Sequence, residues 1–163
     1  MSEVTYTLAA TPRNNAYDAV PGTGESTSGK YLVATKSVTA RTENDTMKVI
    51  TLPSNARLAG TSKLSWDDLA SAEAPTMDAG LAPASDYAND YTADPDALSA
   101  GHDVTAAGTG LMLADHANYG KPLWELMGET EDPGILIDIY LSFVDAATNV
   151  TGDVTAEVSY YFD

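Results

Sequence analysis

A nucleophilic site needs a Ser or Cys, a His to act as base and a carboxylate to orient it. The chain has 163 residues, no cysteine and two histidines, His102 and His116. Thiol nucleophiles, disulfide frameworks, zinc–thiolate sites and iron–sulfur clusters are therefore excluded. His116 follows Asp115, and His102 precedes Asp103. Neighbours along a strand leave on opposite faces, so neither pair forms half of a triad. No Gly-x-Ser-x-Gly turn supplies a serine. Both histidines are expected as exposed loop residues. The run GTGEST at 22–27 is glycine-rich but lacks the lysine, and the strand-to-helix setting, of a phosphate loop. Asp and Glu number 24, so suitably spaced carboxylates exist by abundance alone. A working acid also needs an apolar pocket to raise its pKa. Asp86, Asn89, Asp90, Asp94 and Asp96 gather in one polar stretch. Their spacing is not that of a calcium loop, which supplies about six to eight oxygens, so a solvated acidic loop is expected. No catalytic residue, cofactor or metal ligand is assigned, and enzymatic activity is not expected.

Charge is divided along the chain. Residues 1–63 carry seven of the eight basic groups and five acids, a net of +2; residues 64–163 carry one base and nineteen acids, a net of −18. A total of −16 argues against nucleic acid as a partner, because phosphate binding needs clustered Lys and Arg. The division reads either as a solvated acidic surface that keeps the protein soluble, or as a two-sided particle with a near-neutral docking side and an acidic side facing solvent. No apolar run is long enough to span a membrane as a helix. The opening Met-Ser-Glu-Val-Thr-Tyr has no basic head followed by an apolar run, so no secretory leader is expected.

The elements that must position these residues follow a period of two. Val4, Tyr6 and Leu8 alternate with Glu3, Thr5 and Thr7, predicting a short first strand. Residues 10–29, rich in Pro, Asn, Gly, Ser and Thr, predict a long loop or arm that orders on a partner. Strands are predicted at 31–40, 47–52, 56–66 and 76–81, with Pro53-Ser54-Asn55 as a turn. Residues 82–103 break the alternation. Within them Asp94-Pro95-Asp96-Ala97-Leu98 reads as a helix start that Gly101 would end. Weaker strands are predicted at 110–115 and 122–127. The last pair is the strongest. Ile135, Ile137, Ile139, Leu141 and Phe143 share one face; Val154, Ala156, Val158, Tyr160 and Phe162 share another. With a small-residue turn between them they predict an antiparallel hairpin. The sum is an all-β, antiparallel β-sandwich, jelly-roll-like, with one short helix. Residues 1–30 are expected as a short strand plus arm, and 31–163 as the single sandwich domain. Nine Tyr and two Trp, several at strand positions, favour a contact surface over a pocket.

The segment MKVITLPSNARLAGTSKLSW, then APTMDAGLAP, then DYTADPDALSAGHDV, and a closing GILIDIYLSFVDAATNVTGDVTAEVSYYF, occur in that order. In this order they resemble small β-sandwich virion proteins of tailed bacteriophages, of the capsid decoration or cement type. The resemblance covers roughly residues 45–163. It implies no catalytic residues. It implies a protein, made in the host cytoplasm, that sits on the phage head exterior. There it would bind the major capsid protein and bridge shell subunits as a homo-oligomer, with a trimer expected. The capsid-contact residues would be Arg13, Tyr17, Tyr31, Lys36, Arg41, Lys48 and Arg57, with the arm ordering on the shell. Two other readings stay open at this point: a tail, neck or fibre-associated virion protein, and a carbohydrate-binding sandwich using exposed Tyr and Trp.

Overall fold

The structure is a computed structural model, which describes residues 16–18, 29–69, 74–88, 90–145 and 149–162. The predicted strand at 4–8 lies outside them. The described elements are β1 (Ala16–Asp18), β2 (Lys30–Arg41), β3 (Thr46–Pro53), β4 (Arg57–Leu58), β5 (Lys63–Trp66), β6 (Thr76–Pro83), β7 (Asp94–Asp103), β8 (Gly108–Leu111), α1 (Leu123–Leu126), β9 (Leu136–Val144) and β10 (Val150–Tyr161). Two short 3₁₀ turns, Ser85–Tyr87 and His116–Asn118, complete them. One sheet runs β1-β2-β10-β5-β8, with β4 also on β10; the other runs β3-β9-β6-β7. All pairings are antiparallel. Strands β2, β10, β5 and β8 opposite β3, β9, β6 and β7 make the eight-stranded jelly-roll arrangement that the alternating pattern predicts.

The inward faces follow the sequence parity. Met77, Ala79 and Leu81 on β6, Ile137, Ile139, Leu141 and Phe143 on β9, and Leu64 on β5 are completely or almost completely buried. Val154, Ala156 and Val158 of β10, in the same sheet as Leu64, meet the β6 and β9 residues of the other sheet in one continuous core. Outward positions of β10 are Thr155, Glu157, Ser159 and Tyr161, as the alternation requires.

Five predictions need correction. The strand at 56–66 is two strands, β4 and β5, because the chain turns between them, with Ser62 N–H donating to Ala59 O at 2.9 Å. The buried Ser62 hydroxyl donates to Ser159 O and accepts from Ser159 N–H, both at 3.0 Å, so a side chain serves the β10 backbone at the break. Residues 94–98 do not start a helix; they begin β7. As the edge of its sheet, β7 tolerates Pro95, whose missing N–H costs no ladder bond facing solvent. Residues 122–127 hold α1, not a strand. Leu123, Leu126 and Met127 are buried at i, i+3 and i+4, a helical spacing. The arm at 10–29 contains β1, which pairs with β2 through Ala16↔Leu32, Tyr17↔Tyr31 and Asp18↔Lys30. Finally, β9 and β10 are not a hairpin. Each is a central strand, but of opposite sheets, and the chain crosses the sandwich between them. Asp145 (φ 58°) and Asn149 (φ 54°) flank that crossing in left-handed backbone, which Asp and Asn tolerate better than most residues.

Candidate interaction surface

Three of the seven residues expected to contact a partner come together on one strand: Tyr31, Lys36 and Arg41 on β2. Lys48 stands on β3, the next strand in the chain and an edge of the facing sheet. β2 and β3 therefore form one flank of the sandwich, with Lys30, Lys36, Arg41 and Lys48 and no acid on either strand. Tyr17 lies in β1, directly across the ladder from Tyr31. Arg13 lies outside the described residues. Arg57 does not join them. It is on β4, across from Tyr161, and its guanidinium donates to the Gly120 carbonyl.

The outer face beside this flank is polar and tied down. Tyr31 Oη donates to Glu157 Oε2 at 2.6 Å, across the β2–β10 ladder. Thr35 and Thr155 share a hydroxyl hydrogen bond of 2.9 Å, and Ser37 Oγ donates to Asp153 Oδ1 at 2.7 Å. Lys63 of β5 reaches Glu157 from the other side, 3.2 Å away. The Tyr31 hydroxyl, followed by Lys63, holds the Glu157 carboxyl below the usual range; the same bond raises the Tyr31 hydroxyl. Sequence reasoning missed Thr35 and Ser37. Their signal is an alternate run of small hydroxyl residues, Thr35-x-Ser37-x-Thr39, which fits an outward sheet face.

Beyond Arg41 the chain turns tightly into β3. Asp45 accepts from Thr42 N–H at 2.8 Å, and that bond, with help from Thr42 Oγ1 and Arg41, holds its carboxyl low. Lys48 pairs with Asp138 at 3.5 Å. Together with Thr46, Ala82, Ala93 and Tyr140 these two line an open groove of about 270 Å³ on the outside of the β3-β9-β6-β7 sheet.

The opposite flank, β7 and β8, carries Asp94, Asp96 and Asp103 and no Lys or Arg. Burial raises the Asp94 carboxyl, and the adjacent Asp96 raises it further by sharing a hydrogen bond. Burial also raises the Tyr140 hydroxyl, and Asp94, Asp96 and Asp78 add to it. His102 is a correction: it is a half-buried strand residue, not an exposed loop residue. Its ring packs 5.3 Å from Trp66, its Nε2 shares a 2.8 Å bond with Ser99 Oγ, and burial lowers its pKa against the pull of Asp78. His116 is exposed, in the 3₁₀ turn that Asp115 caps by accepting from Ala117 N–H. Among the described residues no three His, Cys, Asp or Glu side chains are placed to hold a metal ion. The two tryptophans offer no exposed platform. Trp66 is buried and donates from Nε1 to Asp103 O and Ala106 O, both at 3.1 Å; Trp124 is half-buried against the core. No described helix is long and apolar enough to cross a membrane.

No family model matches this sequence, and no curated protein matches it. Among solved structures, a chain of the capsid of Ralstonia phage GP4 superposes with a TM-score of 0.62, at 18% identity, over 90% of this chain and 91% of that one. A chain of the cyanophage Pam1 capsid asymmetric unit aligns over 96% of this chain and 100% of that one, at 24% identity and a TM-score of 0.48. The Ralstonia phage match runs across nearly the whole of both chains, and establishes that the two share a fold.

Proposed function

We propose that this protein is a structural component of a tailed-phage head, a decoration protein that binds the outside of the assembled shell and bridges its subunits. The observation that carries the reading is the end-to-end match in fold to a phage capsid chain. The order of sequence segments resembling phage virion sandwich proteins points the same way. The role is structural rather than catalytic. A rigid sandwich that binds the assembled shell, and not its free subunits, stabilises the shell by mass action, and many copies add their contributions. The basic β2–β3 flank faces the shell in this reading, and the acidic remainder faces solvent. A symmetric trimer is part of the proposal, checked by the mass of the free protein in solution.

The test is to mix the purified chain with heads of its phage stripped of it, and sediment them. Stoichiometric recovery with expanded heads, and not with free capsid subunits, is the expected result. Restored resistance of the heads to heat and low salt follows if the protein cements them. Binding to tails or necks instead would move the protein there; binding to none of these particles would overturn the virion reading.

A further inference from the structure

On the outer face of β9, positions that the alternation turns toward water are covered. Asp138, Tyr140 and Ser142 share that face by parity, yet Tyr140 is only 8% exposed. In the ladders Tyr140 lies between Lys48 of β3 and Gly80 of β6. Gly80 has no side chain, so the backbone of Asp94 and Pro95 closes over it, and the chain just before brings Ala93 to the groove. Tyr140 thus lines a groove with small walls, Ala82 and Ala93, and with Lys48 and Asp138 at its other side. Among the described residues its hydroxyl makes no hydrogen bond. Hydroxyls so deeply placed normally have a partner, so this one is left for a group that arrives.

Charge decides what kind of group that is. Asp138 lines the groove, and Asp94, Asp96 and Asp78 act on the Tyr140 hydroxyl from the β6–β7 side. Against these four carboxyl groups the groove holds one ammonium, that of Lys48. Such a field repels anions and gathers cations. Lys48 answers it only loosely. Its pair with Asp138 is 3.5 Å long, and its side chain is 60% exposed where that of Asp138 is 16% exposed. Surface pairs of this kind are weak and readily exchanged. Asp138 is held independently, because its other oxygen accepts from Thr51 Oγ1. The carboxylate therefore stays in place when Lys48 leaves, which limits the ordering cost of binding.

We infer that this groove is a docking site for an arginine side chain of the shell protein, which takes Asp138 from Lys48 and donates to the Tyr140 hydroxyl. A planar guanidinium serves two acceptors at once, where an ammonium acts as a point charge. Its methylenes would lie along Ala82 and Ala93. The groove opens at β3, on the flank that the capsid reading turns toward the shell, and the inference rests on that reading. Variants of the full chain are mixed with stripped heads over a range of concentrations and sedimented. Asp138→Asn is expected to bind about tenfold or more weakly, because the arriving charge loses its partner. That change also touches the bond from Thr51, so Tyr140→Phe is the second variant. It removes a hydroxyl that is unbonded in the free protein, and should melt with the wild type and bind about fivefold more weakly. Lys48→Met removes the competitor and should bind about twofold more tightly. The sign at Lys48 separates the two readings, since a lysine that merely touched the shell would lose binding on substitution. Weaker binding by Lys48→Met, or wild-type binding by Tyr140→Phe, would overturn the groove and leave the capsid reading standing. Blocking the arginines of the stripped heads with cyclohexanedione should bring wild-type binding down to the level of Tyr140→Phe; unchanged binding would overturn the arginine. A change in the mass of the free protein with Tyr140→Phe would put a second copy in the groove and overturn the shell as its source. Heads that do not bind the wild-type chain would overturn the capsid reading, and this occupant with it.

Discussion

The β2–β3 flank and the β7–β8 flank close the two sides of one sandwich, and they do it differently. On the first, a twelve-residue strand carries only positive charge, pairs with β10 without a break from Lys30 to Val38, and shifts register beyond it, where Ala40 takes left-handed backbone at φ 49°. On the second, the edge strand is bent by two register shifts, carries Asp94, Asp96 and Asp103, and folds back on its own sheet. There Gly101, at φ 72°, turns its N–H onto Asp78 Oδ1 at 2.7 Å. The lesson is that one flank is sealed by close backbone contact, while the other is open to water and held by side-chain hydrogen bonds on its outer face. Close backbone contact does not yield to added atoms, whereas exposed side-chain bonds exchange readily with water. The two flanks should therefore answer mutation through different measurements.

The largest expected effect is at Gly80, where β6 passes under β7. A Cβ there would lie 2.4 Å from Pro95 O and 2.5 Å from Asp94 O, both backbone atoms that a side-chain shift does not relieve. Gly80→Val should cost about 3 kcal/mol, as overpacking at an unyielding site does, and chemical denaturation measures it. On the other flank Thr35→Val, which keeps the shape of the side chain, should stay within about 0.5 kcal/mol of wild type, as surface changes do. Equal losses at both positions would break the distinction between a sealed and an open flank.

Next in size is Trp66, which ties the β7–β8 side to β5 through Asp103 O and Ala106 O. Trp66→Phe leaves both carbonyls without that donor and should cost about 1 to 2 kcal/mol. If thermal melting is unchanged, water replaces the indole there and the flank is less sealed than its packing indicates.

How much of this contrast could be read from the sequence depends on what period two encodes. It fixed the inward and outward sets on β6, β9 and β10, because burial acts on alternate residues one strand at a time. It could not assign partners. Ile137 to Phe143 and Val154 to Tyr160 look like two arms of a hairpin, yet they are central strands of different sheets. Asp94-Pro95 is a sound helix start by local rules. It became a strand because Gly80 lets the β7 backbone come close, a contact fourteen residues away in the chain. The helix at Leu123 was misread as a strand, because its single turn is too short to display a period even though Leu123, Leu126 and Met127 keep helical spacing. For the candidate surface, the basic residues were visible in composition, but only the β2–β3 connection puts Lys36, Arg41 and Lys48 on one flank and sends Arg57 to another.

A smaller effect sharpens the comparison through pH. His102 is held neutral by burial beside Trp66, with a pKa lowered from its ordinary 6.5. The unfolded chain then binds a proton that the folded chain refuses. Stability is complete above about pH 6.5 and falls as pH drops from there toward the lowered value. Urea unfolding at pH 7.5 and 5.5 should show wild type losing stability relative to His102→Gln over that interval. Asp78 opposes this shift by favouring the charged ring, so Asp78→Asn should steepen the loss. A wild type that gains on His102→Gln as pH falls would mean that Asp78 wins over burial.

The smallest effect is on the open flank, at the bond between Tyr31 and Glu157. Tyr31 is exposed and Glu157 half-buried at the surface, so their hydrogen bond is exchanged for one to solvent at little net change. Tyr31→Phe should therefore leave the melting temperature where it is. What must move is the Glu157 carboxyl. Its pKa is held down first by the Tyr31 hydroxyl and then by Lys63, so losing the first brings it partway back toward the ordinary value and Lys63 keeps the rest. A carboxyl depressed in the folded state stabilises above its unfolded pKa, and that contribution disappears as pH falls through the folded value. Carboxyl-carbon NMR titration of Glu157 reads the shift directly. An unmoved Glu157 would mean that Lys63 alone sets it, and that the bond from Tyr31 does not persist in solution.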